Sequence, residues 1–591
     1  MAAHTQASRP QHSVIVEKDV PMRTRDGVTL RADVYRPDAS GRFPVILARL
    51  PYDKNLRTRP GDIDFFVERG YVVIMQDTRG RFASDGDEYF PVIFEAQDGY
   101  DAVEWAAALR CADGNVGTMG QSYLGLTQYQ LAPTRPPHLR ACFPVSAPAD
   151  PYHNFAYHTG GVLELGWRIP NAIFMARDTI KRMGRQDLLP LFEQELSKEK
   201  IPFAQKLSDE AYRRLPLSFW GELLKPVARY VADYIHHSED GPYWWSANVE
   251  REFDDVAVPM YHVTSWYDLF LYSTLRQYLG ISAHGMTPET RANQRLLIGP
   301  WAHIFPYTVP TSTGTGDIDF GPHAMIDLHE TQIRWFDHWL KGYRTGILEE
   351  PRVKLFVMGE NSWRDEHEWP LARTRYTNYY LRGGGKANSA DGDGTLNPVA
   401  PGDDEHEDHF DYDPNDPVPT RGGNTIAIST GVQDQRTVER RRDVLVYTGA
   451  PLEKPLEITG PVVMKLFAAT SGVDTDFTAK LVDVRPDGYA QNLTDGIIRG
   501  RFRHSTFHGV PLEPGKPYEF TIDLWATSQV LGKGHRIRVE ISSSNFPRYD
   551  RNLNTGGRVG FETDARPAEQ TVYHDPDRRS RIVLPVVGEP E

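Results

Sequence analysis

Three segments of this 591-residue chain each carry an apolar run into a residue that could do chemistry. Val116-Gly117-Thr118-Met119-Gly120-Gln121-Ser122-Tyr123-Leu124-Gly125 reads as a strand, a glycine-flanked serine and then a helix from Leu126 to Leu131. Such a turn lifts a serine hydroxyl above a strand end, in backbone that needs small neighbours. The first amides of the helix point at the same place and can stabilise a developing oxyanion. The pattern Gly-x-Ser-x-Gly is matched imperfectly, because Leu124 stands at the second glycine position and Gly125 comes one later. Alone, the segment fits either a nucleophile or a structural serine in a tight turn.

A serine hydroxyl is a weak nucleophile at neutral pH and needs a base, itself held by an acid. Met260–Thr264 runs into Ser265-Trp266-Tyr267-Asp268, and Arg295–Ile298 runs into Gly299-Pro300-Trp301-Ala302-His303. Ser122, Asp268 and His303 thus follow strands in the chain order Ser, Asp, His of α/β hydrolases. With 20 histidines in the chain, any one of them is more simply structural. Two strand-end matches in the right order weigh against that reading.

The elements that must position these residues alternate. Val45–Leu50, Tyr71–Met75, Val116–Met119, Met260–Thr264 and Arg295–Ile298 read as buried strands, with helical spacing between them, as in Ala96–Leu109. That alternation predicts a mostly parallel sheet covered on both faces. Residues 148–250 show helical spacing (Val227, Tyr230, Val231, Tyr234, Ile235) and no convincing strand, so they are expected to form a helical insertion. From Arg352 on, short strand-like runs such as Val353–Val357, Val462–Ala468 and Arg536–Ser542 alternate with Gly, Pro and Asp turns. They predict an all-β sandwich or jelly roll over residues 352–591. The fold expected is therefore α/β: one domain from residues 1–147 and 251–351, a helical cap at 148–250 and a C-terminal β-sandwich. Gly383–Pro417 reads as a long surface loop.

Composition sets the frame. Lys and Arg number 66 against 80 Asp and Glu, a net charge of −14, which argues against a nucleic-acid partner. No apolar stretch is long enough to span a membrane, and Met1–Val14 lacks the apolar core of a signal peptide. Cys111 and Cys142 make no disulfide framework and fit a reducing compartment. A cytoplasmic location is the expectation; leaderless export and the oligomeric state, a homodimer included, stay open. The acids from Asp403 to Asp416, with His406 and His409, lack calcium-loop spacing and read as a solvated loop, so no metal is expected.

The three segments, together with Pro51-Tyr52-Asp53-Lys54, Asp77-Thr78-Arg79-Gly80-Arg81-Phe82 and Asp474-Thr475-Asp476-Phe477, resemble the CocE/NonD hydrolases. That family is related to Xaa-Pro dipeptidyl-peptidases, α-amino acid ester hydrolases and glutaryl acylases. The resemblance runs from about residue 14 to 585, and the serine turn with its glycine one residue late is the family's own form. It implies an α/β-hydrolase domain, a helical cap and a C-terminal jelly roll that packs on both. It also implies Ser122 as nucleophile, His303 as base, Asp268 as its orienter, and an oxyanion hole from the Tyr52 hydroxyl and the Tyr123 N–H. Read on its own, Tyr52 is more simply a core tyrosine. Phe270 matches a position lining the family's acyl pocket, and Trp167 of the insertion is expected beside it.

The expected activity is hydrolysis of small-molecule carboxylic esters through an acyl-enzyme, with no cofactor. One rival keeps the machinery and cleaves Xaa-Pro peptides or amides, which requires an anchor for a free amino group; Glu164 is a conceivable one. A more distant rival is a carbohydrate-binding protein with a degenerate hydrolase domain.

Overall fold

The computed structural model describes residues 7–55, 62–199, 206–303, 314–403 and 405–588. The first part contributes strands β1 (Val14–Arg23), β2 (Thr29–Pro37), β3 (Phe43–Leu50), β4 (Val72–Asp77), β5 (Ala112–Gln121), β6 (Leu139–Val145), β7 (Tyr261–Tyr267) and β8 (Arg295–Ala302). They are hydrogen-bonded in the order β1-β2-β4-β3-β5-β6-β7-β8. The β1–β2 and β2–β4 pairs are antiparallel, and every pair from β4–β3 to β7–β8 is parallel.

Alternation along the strands explains why both faces are covered. On one face Ile46, Val73 and Phe143 pack on Phe336 and Leu340 of the helix Leu328–Lys341. On the other, Val45, Leu47 and Val72 pack on Ala102, Val103 and Ala106 of the helix Glu95–Ala107. Successive side chains point to opposite faces, so these strands carry no polar side and read as unbroken apolar runs.

Two expectations need correction. Val353–Val357, assigned above to the C-terminal sandwich, pairs in parallel with β8, and Ser362–Glu366 closes the same sheet in antiparallel. The first sheet therefore has ten strands and ends at Glu366 rather than before Arg352. An apolar run announces a buried strand without naming its partner. Gly383–Pro417 is not simply a surface loop, since Thr395–Asn397 and Asp408–Tyr412 are strands of the second sheet. Asp408 in the acidic stretch is buried; it accepts from the Tyr447 hydroxyl at 2.8 Å and lies 2.8 Å from His574 Nε2.

Between β6 and β7 the named elements are all helical, from Leu165–Arg182 to the turn at Phe253–Asp255. Their core, with Ile169, Ile173, Trp220, Tyr234 and Trp244, is continuous with Tyr123 and Phe270 of the sheet domain. Pro170 lies inside the helix Leu165–Arg182 and has no N–H for the Gly166 carbonyl. The Tyr212 hydroxyl takes that place at 3.0 Å, while the Gly166 N–H donates to the Arg548 carbonyl at 2.9 Å. The start of this helix is thus fixed from both the cap and the C-terminal domain.

That domain is all-β: eleven strands between Thr374 and Val587 form a second sheet around Leu381, Leu466, Phe477, Leu493 and Ile541. Among the described residues, no helix is long and apolar enough to cross a membrane.

Candidate active site

Strain gathers at one edge of the first sheet. Asp53 follows β3 with φ 83°, Phe82 lies past β4 with φ 42°, Ser122 follows β5 with φ 61° and Ser146 follows β6 with φ 41°. Backbone of this kind persists only where its surroundings hold it, and it concentrates at functional edges.

Ser122, with ψ −124°, is the capping residue of the helix Tyr123–Leu131, and its N–H donates to the Val145 carbonyl at 2.9 Å. The late glycine of the turn has a plain reason: a Cβ on Gly125 would come within 2.5 Å of the Ala147 Cβ. On Gly120, at φ +144°, a Cβ would lie 2.3 Å from the Leu124 Cβ. We expect Gly120→Ala to lose more than about 2 kcal/mol of stability. Thermal melting of purified variants checks this, and an unchanged midpoint would show that the turn tolerates a side chain.

His303 joins the other two residues. Its Nε2 is 3.0 Å from the Ser122 Oγ, and its Nδ1 is 2.9 Å from Asp268 Oδ2. Asp268 is fully buried, and its other oxygen accepts the Phe270 N–H at 2.7 Å. Residues that sequence reasoning missed hold this line. Asn424 of the C-terminal domain donates to the Trp266 and Asp268 carbonyls at 2.8 and 2.9 Å. The Gln121 side-chain amide donates to the His303 carbonyl. Nothing in the sequence marked Asn424, which reaches the site across more than 150 residues of chain.

Tyr52 stands beside Ser122. Burial pushes its phenol up, and the Ser122 hydroxyl, Arg168 and Arg81 each oppose that in smaller measure. Its loop is tied down by two motifs of the sequence. Arg81 donates from Nε to the Pro51 carbonyl at 2.9 Å and from Nη1 to the Met175 carbonyl at 2.8 Å. The Lys54 N–H donates to Asp77 Oδ1 at 2.7 Å. The Tyr123 side chain points away: its hydroxyl donates to Glu95 Oε1 at 2.9 Å and accepts the Val92 N–H at 3.0 Å. Its backbone N–H, in the first turn of its helix, has no partner within that helix.

A small pocket adjoins Ser122 and Tyr52. Trp167 and Phe270 both line it, edge to face at 5.6 Å, and Phe270 in turn lies 5.3 Å from the His303 ring. Glu164, the conceivable amino-group anchor, does not belong to this lining. It is buried at the start of the cap helix, where burial raises its carboxyl to about 7 against the opposing charge of Arg548.

A sequence model of the X-Pro dipeptidyl-peptidase (S15) family matches residues 26–305, and one of the X-Pro dipeptidyl-peptidase C-terminal non-catalytic domain matches residues 345–583. The cocaine esterase of Rhodococcus sp. (strain MB1 Bresler) is 39% identical, over 98% of this chain and 99% of its own. The chain belongs to the CocE/NonD family. Two solved structures agree with this CocE/NonD chain in fold. An α-amino acid ester hydrolase superposes with a TM-score of 0.79 at 24% identity, covering 99% of this chain and 98% of the other. A CocE/NonD hydrolase from Staphylococcus aureus superposes at 0.69 and 18%, covering 97% and 94%. A helical cap and an all-β C-terminal domain on an α/β hydrolase are the architecture of this CocE/NonD protein, which is a serine ester hydrolase.

Proposed function

We propose that this ester hydrolase uses Ser122, His303 and Asp268 as its catalytic triad and Tyr52 with the Tyr123 N–H as its oxyanion hole. The reading rests on one observation: an unbroken line of contacts from buried Asp268 through His303 to Ser122, with the Tyr52 phenol beside the nucleophile. Ser122 Oγ attacks the ester carbonyl as His303 Nε2 takes its proton. The carbonyl oxygen, now negative, receives hydrogen bonds from the Tyr52 hydroxyl and the Tyr123 N–H. The tetrahedral intermediate collapses, His303 gives its proton to the departing alcohol, and Ser122 is left acylated. Water, deprotonated by the same nitrogen, then releases the acid and restores the serine. Trp167 and Phe270 form the apolar wall against which the acyl group packs.

The charge of the cavity favours neutral or anionic esters over Xaa-Pro peptides. A peptidase of that kind must hold a free ammonium, and a carboxylate is the group for it. Among the described residues lining this cavity there is no carboxylate, and the one charged residue is Arg168. We expect p-nitrophenyl butyrate to be turned over at least about 10³-fold more efficiently (kcat/KM) than Gly-Pro-p-nitroanilide. A paired assay on wild type and Ser122→Ala decides. Comparable, Ser122-dependent turnover of the anilide would make the protein a dipeptidyl-peptidase.

A further inference from the structure

Arg168 is a buried cation whose hydrogen-bonding capacity is largely unused. It sits in the cap helix four residues after Glu164, lines the cavity beside Ser122, and is only 3% exposed. Its guanidinium is stacked among rings, 4.2 Å from the Phe155 centroid, 4.3 Å from Trp167 and 5.2 Å from Tyr234. The Tyr234 hydroxyl is a hydrogen-bond partner. Yet Nε and Nη1 have no partner among the described residues, and neither does the buried Tyr230 hydroxyl, which feels the charge of Arg168 above that of any other group.

Among the described residues no carboxylate forms an ion pair with it. Arg81 is a second cation, held by backbone carbonyls and 3.6 Å from Asp178. Glu164, the acid on the same helix, feels the charge of Arg548 more strongly than that of Arg168, and one of its oxygens has no hydrogen-bond partner among the described residues. Stacking on aromatic faces accounts for how the guanidinium survives burial. It does not account for donors left bare in a cavity that a substrate must enter, because an unmet charge in such a place is strongly unfavourable until an anion meets it.

We propose that Arg168 is an anion receptor within the active site, and that the preferred substrates are esters carrying a carboxylate several bonds from the scissile carbonyl. This rests on the reading of the Ser122 cavity as the ester site. The carboxylate accepts from the guanidinium edge, a charge-assisted contact that discriminates far better than an apolar wall. It can belong to either side of the ester, as in a half-ester of a dicarboxylic acid or an ester of a hydroxybenzoate.

Two pairs distinguish the sides: mono-p-nitrophenyl glutarate against p-nitrophenyl valerate for the acyl side, and 4-acetoxybenzoate against phenyl acetate for the alcohol side. The expected result for wild type is a preference of at least tenfold in kcat/KM for the anionic member of one pair. Arg168→Gln should abolish that preference while still hydrolysing the neutral member, and Arg168→Lys should keep part of it. In wild type alone, glutarate or 4-hydroxybenzoate should inhibit turnover of the neutral ester competitively, and 0.5 M salt should weaken that inhibition; this arm does not depend on a variant that folds. Turnover of the neutral esters with no anionic preference in either pair and no such inhibition would overturn the receptor while leaving the esterase intact. A preference unchanged in Arg168→Gln would overturn it too. Failure to turn over any of the four esters would instead remove the ester-hydrolase reading itself.

Discussion

Ser122→Ala should lower kcat/KM for p-nitrophenyl butyrate by roughly 10⁶-fold, and His303→Ala should cost about as much. The double variant should be no worse than either single one. In the proposed mechanism the hydroxyl is activated through Nε2, 3.0 Å away, and Nε2 has no task without the hydroxyl. The turnover that remains comes from binding and the oxyanion donors, which neither change removes. A third variant separates chemistry from strain. Ser122 has φ 61° and ψ −124°, a conformation in which alanine is as strained as serine and glycine is not. Ser122→Gly should therefore be as inactive as Ser122→Ala yet melt at a higher temperature. If Ser122→Ala kept more than about 1% of wild-type turnover, the nucleophile would have to be sought elsewhere.

The parts of this site that were legible in the sequence are those set by short-range rules. A strand, a glycine-flanked serine and a helix occupy ten consecutive residues, Val116 to Gly125, and each piece limits the others. Asp268 and His303 could be picked out because each follows an apolar run, so the strand periodicity that locates the sheet edge locates them as well. The limits are as physical. Val353–Val357 has the composition of a buried strand, but its partner, β8, is decided by space left at a sheet edge and not by the run itself. Asp408 looked like one acid among many in a solvated stretch; its burial depends on Tyr447 and His574, far along the chain. Asn424 and Arg168 are the extreme cases. One acts through two backbone carbonyls of another domain, and the other is defined by partners it lacks. Neither property leaves a trace in the neighbouring residues.

Tyr52 tests how far the proposed oxyanion hole depends on a side chain. Tyr52→Phe should lower kcat about 10²–10³-fold and leave KM within a few-fold of wild type, because the lost bond forms chiefly to the charged oxygen of the transition state. The ring itself should stay in place: it packs edge-on to Tyr123 at 6.5 Å and beside Phe174 at 6.5 Å, contacts that phenylalanine keeps. The loop is also held independently of the hydroxyl, through Arg81 on Pro51 and Asp77 on Lys54. A loss appearing in KM instead would mean that the phenol binds the ground state. The pH profile gives a second handle. Burial raises the phenol above its ordinary value of 10.0, so the protonated, donating form survives to higher pH than in free tyrosine. Activity should therefore show no alkaline fall from this group below about pH 10, and Tyr52→Phe should lower the profile without reshaping it there. The residual activity of Tyr52→Phe would measure what the Tyr123 N–H does alone. Because that amide is fixed by the same turn that strains Ser122, no substitution at position 123 other than proline should remove it.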